Sequence, residues 1–114
     1  MIAQAVQVDD VIYLSGQVGV DEQGKAPDSL VAQTTLAYQH VKAVLAEFGA
    51  TLDNVVEETV FVTDISQTMA QVQEVFAARA AAYGRRPDVA QTLVAVSDLV
   101  DQAFKIEIKC TAHL

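Results

Sequence analysis

Two polar interruptions of apolar segments mark where this chain could do chemistry. Ser15 and Gly16 interrupt a run of β-branched and aromatic residues, and glycine inside a strand often marks the close approach of a ligand or another chain. A bulge in the strand accounts for the same glycine equally well. Gln91 and Thr92 interrupt a second apolar run. A buried amide there must find a hydrogen-bond partner, either across the sheet or in a ligand.

The last apolar segment carries charges at alternate positions. Lys105, Glu107 and Lys109 recur at every second residue, so they share one side of the predicted strand. They form either a solvated ladder of charges or the wall of a polar cleft. A desolvated lysine can bind an anion or act as a base or nucleophile, which makes Lys109 the candidate catalytic residue.

Other catalytic and metal-binding patterns are absent from the sequence. It contains no Walker phosphate loop, GxGxxG, HExxH or CxxC pair. His40 is predicted to be a solvated helix residue, and neither it nor His113 has a natural place beside Ser15. We therefore expect no metal site, no Ser-His-Asp triad and no cofactor. Cys110 alternates with apolar residues and is predicted to be a small core residue.

Composition restricts the class of protein. With 114 residues, of which 52% are hydrophobic and 19% charged, residues 1–114 fit one globular domain. The net charge of −8 argues against a nucleic-acid partner, because phosphate contacts need clustered Lys and Arg. No apolar run approaches the roughly 20 residues of a membrane helix, and the N-terminus lacks a signal-peptide pattern. The single cysteine fits a reducing compartment, so we expect a cytoplasmic domain with no membrane partner.

Hydrophobic periodicity predicts the elements that position these residues. Alternating apolar residues predict strands at residues 3–8, 11–19, 55–63, 89–96 and 103–111. A first helix is predicted from a cap at Asp28 or Ser29 to Gly49, and a second from residues 63–66 to Gly84. The order ββαβαββ predicts an α+β fold, with two helices on one face of one sheet.

The segment at 89–96 is apolar on both of its faces. Val89 and Leu93 fall on one side, whereas Ala90 and Val94 fall on the other. Two helices cover only one face of a sheet, and a solvated face is normally polar. We therefore predict that the second face packs against another copy of the chain in a symmetric oligomer. The alternative is a set of apolar residues that favour strands, with no partner behind them.

Short stretches in a fixed order make the sequence resemble the Rid family, also called YjgF or L-PSP. The stretches are residues 4–6, 14–18, 33–34, 52–56, 59–64, 75–76 and 105–108. The resemblance covers nearly the whole chain. It implies a chorismate-mutase-like fold and a homotrimer around a central β-barrel, with a cleft between each pair of subunits.

The resemblance also implies an activity and the positions that carry it. Archetypal members hydrolyse reactive enamines and imines, such as 2-aminoacrylate, to ketoacids and ammonia. In them an arginine pairs with the substrate carboxylate and a glutamate positions the attacking water. The matching positions here hold Gln91 and Lys109. Gln73 stands in place of an asparagine and Ile2 in place of a tyrosine, whereas residues 15–16 match.

The predicted binding residues come from these features together. They are Ser15, Gly16, Gln73, Gln91, Thr92, Leu93 and Lys109. We expect Gln91 and Lys109 to lie on opposite walls of one cleft. Because an amide lacks the charge and fork of a guanidinium, 2-aminoacrylate should be a poor substrate.

We therefore predict a divergent Rid-family homotrimer that binds a small molecule and hydrolyses an imine, an enamine or a related metabolite. A non-catalytic ligand-binding or regulatory trimer is the alternative, and an exposed and unpaired Gln91 and Lys109 would favour it. A ribonuclease or translation inhibitor of the L-PSP type is the third possibility. The net charge of −8 makes it the least favoured of the three.

Overall fold

A six-stranded sheet with helices on one face forms the framework of the molecule. A computed structural model describes residues 2–114. The strands are β1 Ala5–Val8, β2 Val11–Leu14, β3 Gln17–Val18, β4 Val55–Val62, β5 Ala90–Ala95 and β6 Ile106–His113. The helices are α1 Leu30–Ala46, α2 Ile65–Ala70 and α3 Val72–Tyr83, and a short 3-10 helix spans Leu52–Asn54. The predicted α+β fold is confirmed.

Strand order places β6 inside the sheet and β5 at its edge. The order is β1-β2-β6-β4-β5, and β3 also pairs with β6. β4 and β5 are parallel, whereas the other pairs are antiparallel. A parallel pair needs a crossover, which α2 and α3 supply. Within residues 2–114, the outer edge of β5 has no partner strand.

The core lies between the helices and one face of the sheet. In β6, the residues at 106, 108, 110 and 112 are buried, while those at 107, 109, 111 and 113 face the other side. Cys110 is buried as predicted, and this burial raises the pKa of its thiol to about 12. The thiol is therefore protonated at neutral pH and is a poor nucleophile.

The start of α1 and the end of α3 fall where capping residues predicted them, whereas α1 ends at Ala46, before the predicted stop at Gly49. The Ser29 hydroxyl accepts a hydrogen bond from the Ala32 N–H at 3.1 Å, which caps α1. Gly84 follows α3 with a φ of 71°, a conformation that glycine adopts without steric cost. Within residues 2–114, no helix is long and apolar enough to cross a bilayer.

Two predicted strand boundaries were wrong. The strand predicted over 11–19 is interrupted between β2 and β3 by the irregular residues 15–16. The last strand begins at residue 106 rather than 103, because the Asp101 side chain and carbonyl accept the N–H groups of Ala103 and Phe104 and form a turn.

The predicted second helix is divided into α2 and α3 at Gln71. The backbone of Gln71 leaves the helical region, with φ −115° and ψ 20°. Before this break, Thr68 faces the core, and its hydroxyl donates to the Asp64 carbonyl at 2.8 Å. Met69, predicted to lie on the apolar face, is consequently half-exposed.

Gln33 joins α1 to the segments around it. This buried side chain donates from Nε2 to the carbonyls of Pro27 at 2.8 Å and Ala103 at 2.9 Å. Its Oε1 accepts the N–H of Lys105 at 2.9 Å. The amide therefore holds the loop that leads into β6.

We expect Gln33→Leu to lower the free energy of unfolding strongly, because each buried backbone group left unpaired costs about 1–3 kcal/mol. Urea unfolding measures this change. The control is Gln39→Leu, at an exposed position of α1, with an expected change within about 0.5 kcal/mol. Equal effects of the two substitutions would contradict the role given to Gln33.

Candidate functional site

Ser15 and Gly16 form a β-bulge opposite Lys109. The pairing of β2 with β6 and the pairing of β3 with β6 differ in register by one residue. The segment between β2 and β3 therefore contains one residue more than the part of β6 that faces it. The bulge, one of the two explanations for Gly16 in the sequence, is therefore present. Bulges commonly re-aim side chains next to functional sites.

Hydrogen bonds hold the bulge from both sides. The Ser15 N–H donates to the Gln4 carbonyl at 2.9 Å, and its hydroxyl donates to the Ala3 carbonyl at 2.6 Å. From β6, the Lys109 ammonium donates to the Leu14 carbonyl at 3.0 Å. Lys109 is thus fixed beside the bulge, although its side chain is exposed.

The Glu107 carboxylate lies directly over Gly16. A Cβ at Gly16 would overlap this carboxylate unless the Glu107 side chain rotated away. Within residues 2–114, the ion pairs are Arg79–Glu58 and Arg85–Asp53. Glu107 therefore has no ion-pair partner there, even though Lys109 follows on the same face of β6.

An open groove of about 690 Å³ contains these groups. Its lining includes Ile2, Tyr13, Ser15, Gly16, Glu107 and Lys109. The polar end offers a carboxylate, an ammonium and a hydroxyl, and the remainder is largely apolar. The structure thus brings together three of the predicted site residues: Ser15, Gly16 and Lys109.

Gln91 and Leu93 lie on the opposite face of the sheet. Gln91 pairs in register with Glu58, which is buried under the helices, whereas Lys109 pairs with Thr59. Adjacent strand residues point to opposite faces. Within one chain, Gln91 and Lys109 therefore do not share a cleft, and the predicted cleft between subunits stays a prediction. A cleft that holds both must take them from two copies.

The other two predicted residues also lie apart from each other. Thr92 pairs with Thr59, which pairs with Lys109. Thr92 and Lys109 therefore share the second face, about 10 Å apart across two strand spacings. Gln73 is exposed on α3, on the side of the sheet that carries the helices.

A buried carboxylate that was not predicted organises the helix side. Glu58 is 2% exposed. Each of its oxygens lies 3.1 Å from the Tyr38 hydroxyl, and it accepts hydrogen bonds from Tyr83 and Gln91 at 2.9 Å. It also accepts the Nε–H of Arg79 in an ion pair. The sequence did hold a signal for this cluster, because position 58 falls among the alternating apolar residues of a predicted strand. A carboxylate buried at such a position needs partners.

The electrostatics of this cluster keep its donors protonated. Burial and the neighbouring Glu58 carboxylate raise the pKa of Tyr38 and Tyr83 well above their usual value. Burial of the guanidinium opposes its charge, but Glu58 raises the pKa of Arg79 on balance. The Arg79 guanidinium also lies 5.8 Å and 5.4 Å from the ring centroids of Phe76 and Tyr83.

The histidines do not combine with other side chains into a metal site. Within the described residues, no three His, Cys, Asp or Glu side chains lie close enough to hold a metal ion. His40 was predicted to be solvated, but it is partly buried. Its Nε2 lies 2.8 Å from the Val20 carbonyl.

Residues 2–114 match the sequence model of the family described as endoribonuclease L-PSP. The chain belongs to the Rid family. This Rid-family chain is 30% identical over 110 residues to the RutC family protein YjgH of Escherichia coli, covering 96% of this chain and 80% of YjgH. The family prediction is confirmed.

Two further relatives carry functional information in their names. The mouse 2-iminobutanoate/2-iminopropanoate deaminase is 38% identical over 66 residues, or 56% of this chain and 49% of the deaminase. The structure of Escherichia coli TdcF with bound serine has a TM-score of 0.87 and 26% identity, covering 100% of this chain and 88% of TdcF. The chain aligns with only about half the length of several curated relatives.

We expect Tyr83→Phe to lower the free energy of unfolding by about 1.5–3 kcal/mol, because it removes a hydrogen bond to a charged group. Thermal or urea unfolding provides the measurement. Tyr13→Phe is the control, since Tyr13 is half-exposed on the second face. A stability loss no greater than that of the control would contradict the importance of the Glu58 cluster.

Proposed function

We propose that this chain is a homotrimer that hydrolyses a small imine or enamine, without a cofactor, in clefts between its subunits. Membership of the Rid family supports the reaction class. The mouse deaminase and the serine-bound TdcF point in the same direction. The polar groups at the Ser15–Gly16 bulge supply the chemistry.

The free Glu107 carboxylate beside Lys109 is the observation that carries the proposal. It lies over Gly16 in a groove, and no cation pairs with it in the described chain. An ionised carboxylate within reach of a bound ligand is a general base. Lys109 uses one donor on the Leu14 carbonyl, and an ammonium has three.

The proposed reaction balances with water as the only co-reactant. A proton from solvent adds to Cβ of the enamine, which becomes the iminium. Water then bonds through its oxygen to the iminium carbon, while Glu107 accepts a proton from it and Lys109 donates to the new hydroxyl. The proton passes from Glu107 to nitrogen, and the C–N bond breaks with its electron pair leaving on ammonia. The new hydroxyl gives its proton to Glu107 as the C=O bond forms, Glu107 releases that proton to solvent, and the ketoacid remains.

The second face of the sheet supports the trimer. Val6, Val8, Tyr13 and Val94 are exposed on the face that carries no helix. Large apolar side chains exposed at both edges of one face are a common feature of protein interfaces. Since Gln91 and Lys109 lie on opposite faces of one chain, a second copy is also what could bring them together.

We expect sedimentation equilibrium at micromolar concentration to give three times the chain mass of 12.2 kDa. Val94→Asp should dissociate the trimer, because it places a charge in an apolar interface. The matched control is Ala81→Asp, at an exposed position of α3, which should remain trimeric. A wild-type monomer would contradict the proposed assembly.

We expect slow but measurable hydrolysis of 2-aminoacrylate released by a coupled dehydratase, with ketoacid formation as the readout. An amide at position 91 in place of a guanidinium should cost roughly ten- to a hundredfold in kcat/KM relative to a typical deaminase. Glu107→Gln should lower the remaining rate by a further factor of about 10²–10⁴, as loss of a general base does.

Glu57→Gln is the matched control for that experiment. Glu57 lies on the same face of the sheet, where its carboxylate accepts from the Thr111 hydroxyl at 3.2 Å. Its replacement should leave the rate near that of the wild type. Full activity in Glu107→Gln would refute the assignment of the base, and no activity in any form of the protein would refute the hydrolysis.

The two competing functions receive less support. Gln91 donates to Glu58 and Lys109 donates to the Leu14 carbonyl. The unpaired state that would favour a non-catalytic trimer therefore does not occur. A ribonuclease would have to attract phosphates to a chain with a net charge of −8.

A further inference from the structure

We propose that Arg79 is an oxyanion-binding residue, which receives the carboxylate of the ligand at the open edge of β5, beside the Gln91 amide. The inference rests on the proposed function. It names the group that holds the carboxylate shared by the amino acid-derived imine and its ketoacid product.

The Arg79 guanidinium is held in one orientation. Its Nε–H donates to Glu58. The guanidinium lies near the Phe76 ring, 5.8 Å from the centroid, and near the Tyr83 ring, 5.4 Å from the centroid. A group fixed in this way loses little conformational entropy when a ligand binds.

The other edge of the same guanidinium is free. A guanidinium has five N–H donors, and in the described chain the hydrogen bond of Arg79 is made by Nε alone. The four Nη donors therefore remain, although only 12% of the side chain is exposed. A planar pair of such donors matches the two oxygens of a carboxylate.

The Nη groups of Arg79 are open to solvent. In the described chain, the buried side-chain atom without a hydrogen-bond partner is Gln71 Oε1, so the unpaired Nη atoms are not buried. The hollow of about 10 Å³ beside Arg79 and Gln91 has an almost wholly apolar wall, so a carboxylate would meet the Nη donors outside it. Within residues 2–114 no strand covers the outer edge of β5, the strand that carries Gln91.

Glu58 limits the strength of this site. Its negative charge neutralises Arg79, so the pair attracts an anion through donor geometry more than through net charge. Replacing Glu58 by glutamine leaves an uncompensated guanidinium. Carboxylate binding should then become tighter, whereas a purely structural Arg79 predicts no gain.

The experiment measures binding of pyruvate to the folded full chain by calorimetric titration, with pyruvamide as the neutral analogue. Arg79→Lys keeps a charge for Glu58 but loses the fork, and it should weaken pyruvate binding about tenfold without changing pyruvamide. Arg85→Lys is the control, because the Arg85 Nε also donates to a carboxylate, that of Asp53 at 2.9 Å, but in an exposed pair.

Unchanged pyruvate affinity in Arg79→Lys would overturn the proposal, as would weaker binding in a folded Glu58→Gln variant. Tighter binding in Glu58→Gln, by about tenfold, supports it. If the Glu58→Gln variant unfolds, a thermal-shift measurement takes its place. It compares the rise in Tm on adding pyruvate to the wild type with the rise on adding pyruvate to Arg79→Lys. A smaller rise in Arg79→Lys supports the site, and an equal rise overturns it.

The binding test separates this inference from the proposed hydrolysis. Arg79-dependent pyruvate binding in a protein that does not turn over 2-aminoacrylate supports the oxyanion site and contradicts the hydrolysis. Turnover in Arg79→Lys with an unchanged KM supports the hydrolysis and contradicts the oxyanion site.

Discussion

The buried carboxylate of Glu58 is the constraint on which the helix side of the molecule depends. An ionised group at 2% exposure is tolerated only when hydrogen bonds and an opposite charge replace water. Here α1 contributes Tyr38, α3 contributes Arg79 and Tyr83, and β5 contributes Gln91. One side chain of β4 therefore sets how two helices and an edge strand sit relative to each other.

The sheet separates two kinds of polar group. On the helix side, Glu58 has its acceptor capacity filled by four neighbouring side chains and is unsuited to act as a base. On the other side, Glu107 lies over Gly16 without a cationic partner, and Lys109 keeps spare donors. The saturated carboxylate is structural, whereas the open one is available to a ligand.

Membership of the Rid family makes the position of each charge informative. Position 91, where the resemblance expects an arginine, holds an amide that donates to Glu58. A guanidinium is nevertheless present close by, since Arg79 donates to the same carboxylate from α3. In this chain the guanidinium beside Glu58 therefore comes from a helix, whereas the resemblance expects one on the strand. Because recognition of a carboxylate depends on the direction of the donors, a guanidinium in this place would present its donors to a ligand in another direction.

Local patterns were enough to determine the fold class, the caps at Ser29 and Gly84, and the burial of Cys110, because each depends on residues a few positions apart. They also identified Ser15, Gly16 and Lys109, although not the bulge that joins them. The break at Gln71 escaped the pattern, since a single departure from helical backbone leaves no periodic signal. The partners of Glu58 and the separation of Gln91 from Lys109 were decided only by the tertiary structure. Those relations depend on strand register and helix packing, which bring together residues far apart in the chain. A one-residue shift in register would move a strand residue to the other face of the sheet.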